Sequence, residues 1–135
     1  MIYYRAGYKY QLVEDYTVVL PELAPALPIK AGFLAFDIEG VLTIRRGYAW
    51  DGPSGPAIDT PNFMRGSLVH DALYQLIRER LLEAHYRAAA DQALRRLCRE
   101  DGMSAPRAWW VYHGVRIGAG PSADPANDKP VLVAP

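Results

Sequence analysis

Four residues in the second half of the chain have the types and spacing that proton transfer and cation binding require: His70, Asp71, Tyr74 and Asp91. Consecutive residues of a helix point about 100° apart, so His70 falls at the edge of an apolar stripe and Tyr74 one turn beyond it. Asp91 falls at the margin of the apolar face of the next predicted helix. A short connection between antiparallel helices would bring these margins together. We therefore predict a hydrogen bond between His70 and Asp91, about 2.6 to 3.2 Å between heavy atoms.

Such a pair has a chemical use. A carboxylate that binds one imidazole nitrogen fixes the tautomer and stabilises the imidazolium, so the other nitrogen can take a proton from water or a hydroxyl group. The sequence therefore predicts a dyad in which His70 is the base and Asp91 orients it.

Asp71 has a different predicted role because it points away from the apolar stripe that His70 borders. We expect it to face the segment 51–61, DGPSGPAIDTP, whose glycines and prolines exclude a helix or a strand ladder. A hard cation such as Ca²⁺ requires a shell of oxygen ligands, which Asp71 and backbone carbonyls of this loop would supply together. The sequence therefore predicts a cation site between Asp71 and the loop.

The first half of the chain, which must support these residues, has the composition of β-strands. Tyrosines and β-branched residues predict strands over residues 3–12 and 16–20, followed by a proline-rich connection. Residues 33–38 and 41–46 predict a hairpin, with Gly40 supplying the positive φ of the turn. The sheet is expected to end just before the loop.

The second half changes to helical periodicity. Apolar residues recur at helical spacing over about 62–78, 81–100 and 104–117, which predicts three helices. The expected fold is α+β, with an N-terminal antiparallel β-sheet of hairpins packed on a C-terminal three-helix unit. Residues 1–117 are predicted to form a single domain, and residues 118–135 an extended or mobile tail.

Composition narrows the functional classes. The 15 basic and 15 acidic residues cancel, which argues against a nucleic-acid partner because general nucleic-acid affinity depends on an excess of positive charge. The single cysteine, Cys98, cannot form an internal disulfide. The sequence also lacks the pattern of a signal peptide and any apolar run of the roughly 18 residues that cross a bilayer.

Three short motifs carry a resemblance to known families: Trp50-Asp51-Gly52-Pro53, His70-Asp71-Ala72-Leu73-Tyr74 and Ala90-Asp91-Gln92. The chain resembles, from about Tyr10 to Arg116, a family of small proteins of unknown function that is common in bacteriophages and prophages. That resemblance is carried by Trp50-Asp51-Gly52-x-Ser54-x-Pro56, Arg65-x-Ser67-Leu-Val-His-Asp-x-Leu-Tyr74 and Ala90-Asp91. Over a shorter stretch the motifs are similar to phospholipase A₂ enzymes, above all to the phospholipase domain of parvovirus capsids.

The resemblance implies a phage-encoded, calcium-dependent hydrolase that acts on a lipid ester. It would make His70 the general base, Asp91 its orienting partner and Tyr74 a support of the dyad, with Asp71 as a ligand of Ca²⁺. Two further residues, Asp51 and Gly52, would belong to the calcium loop.

The same resemblance implies a lipid or membrane surface as partner, with other phage proteins as further candidates. The expected location is the host cytoplasm or the virion. The chain departs from the phospholipase pattern in three ways. It cannot form the disulfides of the secreted members, Pro53 and Pro56 lie where loop carbonyls would have to turn, and phospholipases lack the β-rich first half.

A non-enzymatic alternative explains the same residues. Asp91 has Arg87 four residues before it and Arg95 four residues after it, so a surface salt bridge would account for it. Asp71 would pair with Arg65 or Arg78, or with the Ser67 hydroxyl. On this reading the chain is a phage structural or assembly protein in which the motif only fixes two helices.

Two further groups of side chains have alternative interpretations. Trp109, Trp110 and Tyr112 are expected to lie mainly in the core, although such residues also favour membrane interfaces. His85 and His113 would join His70 in a zinc site, but their spacing does not match that of metal ligands.

Overall fold

A computed structural model describes residues 2, 4–5, 10–50, 60–118 and 120–123 of the chain. The described strands are β1 (Tyr4–Arg5), β2 (Tyr10–Leu12), β3 (Tyr16–Val19), β4 (Ile29–Ala31), β5 (Leu34–Phe36), β6 (Val41–Ile44) and β7 (Ala49–Trp50). The described α-helices are α1 (Pro61–Arg78), α2 (Arg87–Glu100), α3 (Ala105–Gly118) and α4 (Gly120–Ala123), and short 3₁₀ turns lie at Pro21–Leu23 and Ala84–Tyr86. Strands therefore precede helices, and the predicted α+β class is confirmed.

The strands form two antiparallel sheets, whereas the sequence predicted one. The first sheet has the order β1-β2-β7 and the second has the order β3-β6-β5-β4. The division arises because the chain bends at residues 13–14, after β2, and turns at Gly47, between β6 and β7, where φ is +97°. Hydrogen bonds from Leu12 to Tyr48 and from Gly47 to Leu12, both 2.8 Å, hold these two changes of direction together.

The predicted strand over residues 3–12 is in fact two strands. β1 and β2 pair with each other, with Tyr4 opposite Leu12, so the chain reverses between them. The predicted hairpin of β5 and β6 is present, and Gly40 has the expected positive φ, +89°. A side chain at Gly40 would clash with the carbonyl group of Leu20, whose amide binds the Gly40 carbonyl at 2.7 Å.

The helices differ from prediction at two ends. α2 begins at Arg87 and not near residue 81, because Arg80 adopts a left-handed φ of +63° and the amides of Leu81 and Leu82 both bind the carbonyl of Leu76. Residues 120–123 are helical, which corrects the predicted extended tail at that point. Residues 124–135 of the predicted tail lie outside the described residues.

One apolar core joins both sheets to α1 and α2, and a smaller core lies between α1, α2 and α3. The largest fully buried side chains of the first include Leu12, Leu20, Leu34, Phe36, Leu42, Ile44, Trp50, Leu68, Leu73 and Leu76. The second contains Phe63, Leu94, Cys98, Met103, Ala108 and Val111. α1 therefore contributes to both cores and has few exposed positions.

Gly66 allows α1 to approach α2 closely. A Cβ atom at this position would lie 2.8 Å from the Cys98 sulfur and 3.0 Å from a methyl carbon of Leu94. The nearer of these distances is shorter than van der Waals contact permits, so the two helices would have to separate or repack. Gly66 is one turn before His70, and this approach therefore sets how near His70 comes to α2.

We expect Gly66→Ala to lower the free energy of unfolding by about 1 to 3 kcal/mol through overpacking. Gly114→Ala is the matched control, because a Cβ atom there meets nothing within 4 Å. It is expected to raise the free energy of unfolding by about 0.5 to 1 kcal/mol through helix propensity alone. Urea unfolding measures both. If the free energy of unfolding rises equally in both variants, the close contact at Gly66 is contradicted.

Candidate active site

His70 and Asp91 are in direct contact. The Nε2 atom of His70 lies 2.7 Å from Oδ1 of Asp91, which agrees with the predicted hydrogen bond. His70 is buried on α1, and Asp91 on α2 has no exposed surface. The carboxylate, an acceptor, fixes the neutral imidazole as the tautomer that carries its proton on Nε2.

Tyr74 completes this pair from one turn further along α1. Its hydroxyl donates to the same Asp91 oxygen at 2.6 Å, and its ring lies 4.1 Å from the His70 ring, centre to centre. Burial, and then the hydrogen bond to Asp91, raise the pKa of Tyr74 well above its usual range. Tyr74 is therefore a permanent hydrogen-bond donor near neutral pH.

Two arginines also belong to the cluster. Arg116, on α3, donates to Oδ2 of Asp91 at 2.8 Å. Arg87 donates to the Tyr74 hydroxyl at 3.1 Å and to the carbonyl oxygens of Val115 and Arg116 at 3.0 Å each. Arg87 thus ties the last turns of α3 to the residues around Asp91.

The predicted surface salt bridges of Asp91 are wrong. Asp91 faces the interior, where Arg116 and not Arg87 or Arg95 neutralises it. The guanidinium of Arg95 instead lies over the ring of Tyr112, 5.7 Å from its centre. Sequence reasoning missed Arg116, for which the only signal was its place in the last turn of a predicted helix.

The hydrogen bonds keep Asp91 ionised. Burial by itself would raise the pKa of this carboxyl group, but the donors His70, Tyr74 and Arg116 outweigh it and hold the pKa below its ordinary value of 3.8. A charge-assisted hydrogen bond to a buried carboxylate is stronger than one between neutral groups. The cluster is therefore built around a fixed negative charge.

The second nitrogen of His70 is available for chemistry. Nδ1 makes no hydrogen bond with any residue that the structure describes, and 9% of the His70 side-chain surface is exposed. With the proton on Nε2, Nδ1 has a lone pair that can accept a proton. This is the arrangement that a general base requires.

Asp71 is half-buried on α1, four residues after Ser67 and so on the same side of the helix. The indole nitrogen of Trp50 donates to the Ser67 hydroxyl at 3.1 Å, which holds Trp50, the last described residue before the predicted loop, one turn of α1 from Asp71. Two other predicted cation ligands, Asp51 and Gly52, lie outside the described residues. Within the described part of the chain, no three His, Cys, Asp or Glu side chains are grouped to hold a metal ion.

The alternative partner Arg65 is occupied elsewhere, because its guanidinium binds Asp101 at 2.9 Å and Glu100 at 3.4 Å. The histidines of the suggested zinc site do not come together in the described structure. His85 is exposed beside Glu83, and the ring of His113 lies on that of Trp109.

Trp109 and Trp110 are not core residues, which corrects the prediction. They are 51% and 49% exposed, while Ala108 and Val111 occupy the buried side of α3. No described helix combines the length and the apolar character that a membrane span needs.

The fold and the site together define an α+β protein with a buried His-Asp-Tyr cluster at the junction of its three long helices. The chain belongs to the family described as "Protein of unknown function (DUF1353)", whose profile matches residues 29–115, more than half of its length. The match includes His70, Tyr74 and Asp91 and ends one residue before Arg116. Searches of curated proteins and of solved structures found no match.

Proposed function

We propose that the protein is a calcium-dependent hydrolase of a lipid ester in which His70 activates water. One observation carries the proposal: Asp91 holds Nε2 of His70 at 2.7 Å, while Nδ1 has no hydrogen bond within the described part of the chain. A histidine with a purely structural role is usually satisfied at both nitrogens.

The chemistry follows from this geometry. Nδ1 takes a proton from a water molecule as the water oxygen attacks the ester carbonyl carbon, and Asp91 stabilises the imidazolium that forms. The tetrahedral intermediate then expels the alcohol oxygen, which receives the proton from Nδ1. The acyl–oxygen bond breaks, and the products are a carboxylic acid and an alcohol.

The proposed role of Asp71 is to bind Ca²⁺ together with Asp51 and the backbone of Gly52. Such a cation would polarise the ester carbonyl group. The support for this role is positional, because the Trp50–Ser67 hydrogen bond holds the residue that precedes Asp51 one turn of α1 from Asp71. The phage origin, with the host cytoplasm or virion as location, and the lipid or membrane partner belong to this proposal as well.

A second candidate is a phage structural or assembly protein without catalysis, which would have other phage proteins as its partners. The observation that favours it is the number of bonds that Asp91 receives. Residues of α1 and α3 both donate to this one carboxylate on α2, so the cluster also links three helices.

The proposal is tested with the purified chain, a monomeric short-chain phosphatidylcholine and a calcium titration followed by calorimetry. We expect hydrolysis that requires Ca²⁺, and we expect Asp71→Asn to weaken Ca²⁺ binding at least about tenfold, as loss of a charged ligand does. Glu39→Gln, which removes an exposed charge far along the chain, is the matched control and should bind Ca²⁺ as wild type does.

Two results would count against the proposal. Wild-type protein that releases no fatty acid at any Ca²⁺ concentration would leave the assembly protein as the surviving candidate. If hydrolysis is equally fast with and without Ca²⁺, the role of His70 as the base still stands, but the proposed cation site is rejected.

A further inference from the structure

Four residues at the junction of α1, α2 and α3 form a closed circuit of hydrogen bonds. Tyr74 donates to Oδ1 of Asp91 at 2.6 Å, and Nε of Arg87 donates to the Tyr74 hydroxyl at 3.1 Å. Nη2 of Arg87 donates to the carbonyl oxygen of Arg116 at 3.0 Å, and Nη1 of Arg116 donates to Oδ2 of Asp91 at 2.8 Å. We call these four residues the Asp91 circuit, because it begins and ends on the two oxygens of one carboxylate.

The two oxygens of Asp91 have different partners. Oδ1 accepts from Nε2 of His70 and from the Tyr74 hydroxyl, whereas Oδ2 accepts from Arg116. The torsion that turns a carboxylate group is broad, so donors on one oxygen do not fix the plane of the group. A charged donor on the other oxygen does fix it, because a charge-assisted hydrogen bond is strong and directional. Arg116 therefore holds Oδ1 toward His70.

The fold in turn holds Arg116. The last carbonyl groups of a helix have no partner within the helix, and Arg87 supplies one to both Val115 and Arg116 at 3.0 Å. The last turn of α3 is thereby fixed beside the start of α2. Asp91 has no exposed surface, so water does not replace the donors of the circuit. The carboxylate is thus oriented before any substrate binds.

The contact between Arg116 and His70 is indirect. It passes through the Asp91 carboxylate, which lies between the two side chains and binds one with each oxygen. A residue in this place changes how the imidazole is oriented and does not change what the imidazole contacts on its other side. Groups that orient a functional histidine in this way typically contribute about 10- to 100-fold to activity.

We infer that Arg116 is a positioning residue for His70: through Oδ2 it fixes the Asp91 carboxylate in the orientation in which Oδ1 binds Nε2, and Arg87 holds Arg116 in place. The inference deepens the proposed function, and its effect on hydrolysis rests on that function. Its effect on the hydrogen bond between His70 and Asp91 does not.

The first measurement is the proton NMR resonance of the Nε2–H group of His70, which requires no activity. A proton in a short hydrogen bond to a buried carboxylate resonates far downfield and exchanges slowly with water. The loss of this resonance in His70→Gln assigns it. We expect Arg116→Gln to broaden the resonance through exchange with water, because the freed carboxylate turns away from His70 for part of the time.

The second measurement is the hydrolysis of a monomeric short-chain phosphatidylcholine. Arg116→Gln should lower kcat about tenfold and leave KM unchanged, because Arg116 acts on the base and not on the substrate. Arg116→Lys should restore the sharp resonance and most of kcat, since an ammonium group is also a charged donor. A role limited to linking helices would not produce this division between kcat and KM.

The matched control is Arg96→Gln, which removes another arginine that reaches a carboxylate, that of Glu22 at 2.7 Å. It should keep the resonance and kcat of the wild type. Arg87→Gln opens the Asp91 circuit without changing a donor to Asp91, and it should broaden the same resonance. This variant provides the test if Arg116→Gln does not fold.

Two NMR results would overturn the inference: a sharp resonance in the folded variants Arg116→Gln and Arg87→Gln, or equal broadening in Arg96→Gln. If the resonance broadens as expected but the wild type releases no fatty acid, the proposed function is rejected and the positioning of His70 by Arg116 stands. If the wild type hydrolyses the lipid and Arg116→Gln does so with the same kcat, the proposed function stands and the inference is overturned.

Discussion

His70→Gln is expected to fold like the wild-type protein and to hydrolyse a short-chain phospholipid about 10²- to 10⁴-fold more slowly. The glutamine amide can still donate to Asp91, but it cannot accept a proton from water at neutral pH. The loss should therefore appear in the rate of hydrolysis, with little change in the melting temperature. Initial rates at saturating Ca²⁺ and thermal melts measure the two effects separately.

Leu73→Ala provides the contrasting variant on the same helix. Leu73 has no exposed surface, and truncation of such a leucine costs about 2 to 5 kcal/mol. Its melting temperature should fall well below that of His70→Gln. If His70→Gln melts as low as Leu73→Ala, His70 is a core residue and the catalytic reading fails.

Asp91→Asn is expected to lower the free energy of unfolding at pH 7 by about 3 kcal/mol. The carboxylate accepts hydrogen bonds from His70, Tyr74 and Arg116, and an amide group cannot accept all three. One donor is thus left facing the amide nitrogen. Chemical denaturation of the variant and the wild type measures this difference.

The difference in the free energy of unfolding between wild type and Asp91→Asn is expected to depend on pH. The pKa of Asp91 is lower in the native state than its ordinary value of 3.8 in an unfolded chain, so between the two values only the unfolded state binds a proton. The stabilisation is complete above the unfolded value and is lost as the pH falls through the native value. The difference between wild type and Asp91→Asn should therefore narrow below about pH 3.8. A difference that stays constant down to acid unfolding would show that the charge contributes nothing.

The contact between His70 and Asp91 could be predicted because it depends on local geometry. The 3.6-residue period, which can be read from the sequence, decides which side of each helix a residue occupies. The connection between α1 and α2, residues 79–86, is longer than predicted, but it still brings Asp91 against His70. Tyr74 follows from the same period, since it lies one turn beyond His70.

The contact of Arg116 with Asp91 could not be predicted from the sequence. The predicted burial of Trp109 and Trp110 was wrong for the same reason, which concerns the orientation of α3. Apolar residues of α3 lie on both faces, so periodicity does not single out the side that packs against α2. The space there accommodates Ala108 and Val111, and the larger aromatic side chains face outward. That choice depends on the shape of the neighbouring helices, which no local pattern records.

The first residues of α2 were misassigned for a different reason. Arg80 has a left-handed backbone conformation that glycine usually adopts, and the presence of an arginine does not indicate this conformation. The late start of α2 follows from the chain reversal at this residue. Division of the strands into two sheets likewise depends on tertiary hydrogen bonds near Gly47 and not on strand propensity.

The closeness of α1 and α2 makes the single cysteine a reporter of their separation. Cys98 has no exposed surface, and burial raises the pKa of its thiol to about 12, so a thiol reagent meets almost no thiolate in the closed protein. Labelling should therefore proceed only during the moments when the helices open. A cation or lipid that binds the closed form would slow labelling in proportion to its occupancy. Ligands of this family member can thus be ranked by the rate at which one sulfur atom reacts, with no knowledge of what the protein does.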